Sequence, residues 1–112
     1  MDDSGFIEAF ESGTLPPEGF RHRDHVRLTW LYLQRYGRAE AERRLMDGLR
    51  AFAIRAGKPG KFDGPLTVAW IEIIDGARAG CATFDDLVAK HPGLLDSGIV
   101  RLGAAGSLDA KT

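Results

Sequence analysis

The chain has 112 residues, 44% of them apolar and 28% charged, with fifteen Lys and Arg against sixteen Asp and Glu. That length suits one domain with a sizeable core, so neither a disulfide nor a metal is needed for folding. A net charge of −1 argues against nonspecific nucleic-acid or membrane-surface binding, and the single cysteine, Cys81, excludes an internal disulfide. The acidic start Met1-Asp2-Asp3-Ser4 lacks signal-peptide blocks, and no apolar run reaches the ~18 residues of a membrane span. A cytoplasmic protein with no nucleic-acid or membrane partner is therefore expected.

Five helices are predicted. The first covers residues 4–11, with Phe6, Ile7 and Phe10 on one face, Ser4 or Asp3 as cap, and Gly13 then Pro16-Pro17 as the stop. The second covers 23–36 and ends at Gly37. Its stripe is Val26, Trp30, Leu33 and Tyr36, and Leu28, Leu31 and Tyr32 widen it into a central helix. The third, 39–56, is the cleanest amphipathic pattern: Ala41, Leu45, Leu49, Phe52 and Ala56 face the core. Glu40 and Arg44 form a favourable pair on the other side, and Gly57 suits the C-terminal cap.

The loop Lys58-Pro59-Gly60-Lys61-Phe62-Asp63-Gly64 leads to a fourth helix with Pro65 in its first turn. Leu66, Ala69, Trp70, Ile73 and Ala77 make its expected stripe, broadened by Val68, Ile71 and Ile74. A fifth helix covers 84–90, capped by Thr83 with Asp86 in a capping-box position and ended by Pro92. Residues 98–102 form a last apolar patch, helical or extended, and 103–112 read as a frayed tail. The expectation is all-α: a single compact bundle of four to six helices over residues 1–102, built around the helices of Trp30 and Trp70.

Candidate chemistry concentrates in Phe20-Arg21-His22-Arg23-Asp24-His25-Val26-Arg27-Leu28. His22 and His25, three apart, share a face of the first helical turn, where two imidazoles can meet one ion or one substrate. A metal needs further ligands, and among Asp24, Asp63, Glu72 and Asp75 the loop residue Asp63 is best placed. The structural alternative is that His22 caps the helix and His25 packs locally. Lys58 and Lys61 can anchor an anion, or simply belong to a solvated connector. Trp30 and Trp70 are core residues or, for one of them, a cleft wall. Cys81 has no base and orienting acid beside it and reads as a structural thiol. Arg21, Arg23 and Arg27 do not make a DNA reader, because Asp24 interrupts them and their helix is too apolar to lie in a groove.

Three blocks carry a resemblance. Phe20-x-His22-x-x-His25-Val26-Arg27-Leu28-x-Trp30 is the first. Gly57-Lys58-Pro59-Gly60-Lys61-Phe62 with Leu66-Thr67-Val68-Ala69-Trp70 is the second. Phe84-x-x-x-Val88-x-x-His91-Pro92-x-Leu94-Leu95-Asp96 is the third. Together they resemble a family of small, all-helical bacterial proteins of uncharacterised function, which implies a fold and candidate positions but no reaction. Family members commonly read aromatic-His-Glu-Thr where this chain has Phe62-Asp63-Gly64-Pro65, so Asp63 replaces a third histidine. The family's aromatic-Ser motif after Asp96 is also missing.

Two functions follow as expectations. One is a binding or interaction module for a protein partner or small molecule, as a monomer or a homodimer. The other is a metal-dependent or acid–base enzyme on a small molecule. In the second, a divalent metal ion is the implied cofactor, His22, His25 and Asp63 are ligands or catalytic proton carriers, and Lys58, Lys61 and Trp30 hold the bound molecule.

Overall fold

The computed structural model describes residues 2–96; the patch at 98–102 and the tail at 103–112 lie outside them. Five α-helices are present: α1 (Asp3–Ser12), α2 (His22–Tyr36), α3 (Arg38–Arg55), α4 (Gly64–Ala77) and α5 (Phe84–Lys90). Three short 3-10 turns, Pro17–Gly19, Pro59–Lys61 and Pro92–Leu95, each begin at a proline, whose fixed φ suits a first helical position. Among the described residues there is no strand, and no helix is long and apolar enough to cross a membrane. The architecture is an all-α bundle.

Local chemistry explains the boundaries. The α1 cap is Asp2, one residue before the expected candidates, and its carboxylate accepts from the Gly5 N–H at 2.7 Å. Gly37 alone joins α2 to α3. At φ +81 it turns the chain where an L side chain would be strained, while its N–H still donates to Leu33 and its carbonyl accepts from Ala41, both at 2.9 Å. The α5 capping box forms as expected: Thr83 Oγ1 accepts from the Asp86 N–H at 3.1 Å, and Asp86 accepts from the Thr83 N–H at 3.3 Å.

The closed part of the core lies between α1, α2 and α3. Phe6, Ile7 and Phe10 share one buried cluster with Leu28, Leu33 and Leu45. The α3 stripe is the predicted one from Ala41 through Leu45 and Leu49 to Phe52, but Ala56 follows the last helical residue and is half-buried, and Ala53 is buried instead. Gly48 lets α1 approach: a Cβ there would come within 2.7 Å of the Phe10 ring. Tyr32 is buried in α2 with its hydroxyl 2.5 Å from Glu11, and burial together with that carboxylate pushes the phenol pKa up. Arg44 sits over the Tyr36 ring and pairs with Glu40 at 2.6 Å.

On the other side α4 packs against α2 and α3, and the turn at Pro92–Leu95 packs against both α2 and α5. Leu87 is fully buried, and Cys81 is a free buried thiol whose Sγ lies 3.6 Å from the Ala77 carbonyl. The expected α4 stripe needs correction. Ile71 and Ile74 are its buried residues, whereas Leu66, Ala69 and Trp70 are half-buried and Ile73 is 39% exposed. Part of the apolar surface at the start of α4 borders a cavity instead of meeting side chains from α2 and α3.

Candidate functional site

That cavity has a volume of about 560 Å³. It lies between the start of α2, the last turns of α3, the loop at 58–63 and the first turns of α4. Its walls are largely ring systems: Phe20, Phe52, Phe62 and Trp70 all line it. Phe20 meets the His25 ring edge-on and the Phe52 ring at a tilt, each at 4.8 Å between centroids, and reaches Phe6 and Phe10 of the closed core at 6.4 Å.

Both histidines reach the cavity because the helix places residues three apart on one face. His22 does not cap α2: the N-cap residue is Arg21, and the Asp24 carboxylate in the first turn accepts its N–H at 3.0 Å. The His22 Nε2 instead lies 2.8 Å from the Leu94 carbonyl oxygen, and its ring sits 4.5 Å from that of Trp70. A carbonyl only accepts, so Nε2 carries a hydrogen and donates it. In the neutral ring this leaves Nδ1 as the acceptor. The bond spans 72 positions of sequence and ties the C-terminal turn to the cavity wall.

His25 is an exposed residue at the cavity, partly enclosed where Phe20 packs edge-on against its ring at 4.8 Å. That enclosure, reinforced by the neighbouring His22 charge and opposed by Asp24, pushes its pKa down to about 4. It is therefore neutral near pH 7. Thr29, one turn on, also lines the cavity, but its hydroxyl donates to the His25 carbonyl at 2.9 Å.

Asp63, Lys58 and Lys61 border the same cavity. Asp63 is first of all the N-cap of α4: its Oδ1 accepts from the Leu66 N–H at 2.9 Å, and its carbonyl accepts from the Thr67 hydroxyl at 2.8 Å. Among the described residues no ion pair joins it to His22 or His25, and no group of three or more His, Cys, Asp and Glu is placed to hold a metal ion. His22 and His25 on α2 and Asp63 before α4 thus border one cavity from different walls, without forming the expected ligand set. The aspartate is turned toward the helix end instead of a shared centre.

Trp30 is also corrected. It is 3% exposed in the core and does not line the cavity; Trp70, the other tryptophan, does. Five of the six sequence candidates thus share one cavity. Phe20, Phe52 and Glu18 join them: Phe20 opens the candidate stretch without a role of its own, Phe52 is expected to face the core, and Glu18 is in no candidate set. Their signal was weak, because a phenylalanine beside a histidine pair and a glutamate in a Pro-rich turn are ordinary in sequence. No protein family, curated protein or solved structure matches the chain.

Proposed function

We propose that this chain is a small helical binding protein that holds a small molecule with an apolar, ring-sized body between α2, α3 and α4. The observation that carries this reading is the cavity of about 560 Å³ walled by Phe20, Phe52, Phe62 and Trp70. Its size lies within the roughly 300–1,000 Å³ of small-molecule pockets, and its lining follows their pattern of rings with a few polar groups. A protein-interface or homodimer reading has less behind it: Ile54 and Ile73 are the exposed large apolar side chains among the described residues.

The test is a titration with N-phenyl-1-naphthylamine, a neutral aromatic probe that brightens in apolar surroundings. Saturable binding that Ala56→Phe abolishes by filling the cavity, which Ala56 lines, supports the reading. Equal binding by the filled variant places the probe elsewhere and overturns it.

One observation favours a second use of the same cavity. Through Nε2 the Leu94 carbonyl orients His22, and a fixed tautomer with Nδ1 as the acceptor is what a general base needs. In that reading His22 moves a proton on a bound small molecule while neutral His25 hydrogen-bonds it, with no metal involved. Turnover of ester or carbon-acid substrates that His22→Gln removes, without loss of probe binding, is the supporting result. Unchanged turnover in His22→Gln rejects it.

A further inference from the structure

Building on the cavity reading, we infer that the ligand is an organic monoanion, an apolar body bearing one carboxylate or sulfonate, whose charge is received by Lys58 and Lys61. Two features of the structure point there. The first is placement. Both lysines belong to the loop that rims the cavity, and their backbone is set by the turn at Pro59–Lys61. The Lys58 N–H donates to the Ala53 carbonyl, and the Lys61 N–H to the Lys58 carbonyl, each at 2.9 Å. The anchors are therefore part of the wall, not of a remote flexible tail.

The second is the distribution of partners. Arg27, Arg38, Arg43, Arg44 and Arg78 are each paired with an acid. Arg23, Arg50 and Arg55 stand over aromatic rings, Lys90 donates to the Gly80 carbonyl, and Arg21 and Arg35, which among the described residues have no ion pair within 4.0 Å either, do not line the cavity. Among the described residues neither Lys58 nor Lys61 has an ion pair within 4.0 Å, although both lie on the cavity rim with two acids, Glu18 and Asp63. Asp63 already accepts the Leu66 N–H. Two ammonium groups thus keep their donors available beside an aromatic chamber, an arrangement that suits an amphipathic acid: rings or chain inside, charge at the mouth. His25, neutral near pH 7, adds a hydrogen-bonding group without a competing charge inside the chamber.

The experiment compares two probes with the same kind of aromatic body. 1-Anilinonaphthalene-8-sulfonate carries one negative charge, and N-phenyl-1-naphthylamine carries none. Each is titrated into the full chain and into Lys58→Gln/Lys61→Gln. These lysines are exposed, so the double variant should fold, which far-UV circular dichroism checks. The expected result is preferential binding of the sulfonate, weakened roughly five- to tenfold in the double variant and reduced by added salt, with the neutral probe unchanged. Equal affinity for the two probes, or a sulfonate affinity untouched by the double substitution, overturns the anion assignment while leaving the cavity reading standing. If neither probe binds saturably, the cavity reading itself fails.

Discussion

Two sides of α2 solve the same packing problem differently. On one side Tyr32 meets Phe10 and Glu11 of α1 and is 1% exposed, and Leu28, one turn before it, is fully buried. Toward α4, His22, His25, Val26 and Thr29 border open volume. Both sides are rich in aromatic rings, and Phe20 and Phe10 link them, 6.4 Å apart. Aromatic content therefore does not by itself make a core. What closes the first side is close backbone approach at Gly48 and the paired stripes of α1 and α3. What opens the second is an α4 whose first turns hold half-buried side chains around a chamber.

The comparison predicts unequal costs for cutting side chains back. Leu45→Ala, on the closed side, should lose roughly 2–5 kcal/mol. Trp70→Ala, on the open side, should lose clearly less despite removing more atoms, because part of that ring faces the chamber. Urea denaturation of both variants checks the order, and a larger loss at Trp70 would mean that the chamber is packed in solution. Gly48→Ala should destabilise by roughly 1–3 kcal/mol, since its Cβ would press on Phe10. That outweighs the gain of up to ~1 kcal/mol in helix propensity. A stabilised Gly48→Ala would show that α1 can move away freely. Asp63→Ala should lose on the order of 1 kcal/mol through the α4 cap. No change in its melting midpoint would remove Asp63 from that role.

The same contrast explains what could be read in advance. The α3 stripe, the Gly37 turn and the Thr83–Asp86 box follow from spacing and local hydrogen bonding, and both features are visible in a string of residues. The α4 stripe does not. With apolar residues on nearly every side, its rotation was decided by which of them α2 and α3 could cover. The site shows the same division. His22 and His25 share a face by helix geometry, and the loop at 58–63 precedes α4, so their candidacy was legible. That Trp70 and not Trp30 faces the chamber, and that His22 bonds Leu94, depend on contacts between distant segments.

A smaller effect tests the electrostatics of the open side. His25 titrates at about 4 in the folded chain, against an ordinary 6.5. Between those values the unfolded chain binds the proton more readily, so stability falls as pH drops through this window and is unaffected by His25 above it. Its access to solvent through the cavity keeps the slope shallow. Urea midpoints measured from about pH 7 down to about pH 5 should decline less in His25→Gln than in the parent chain. Identical slopes would show that His25 is not enclosed.

The most direct test of the central claim uses the two tryptophans as internal reporters. Each contributes one indole N–H signal to a 1H–15N correlation spectrum, and single Phe replacements assign them. Titrating N-phenyl-1-naphthylamine should shift the Trp70 signal saturably while the signal of Trp30, buried outside the chamber, stays within linewidth. A probe that binds without moving Trp70, or that moves Trp30 first, would contradict a ligand chamber between α2, α3 and α4.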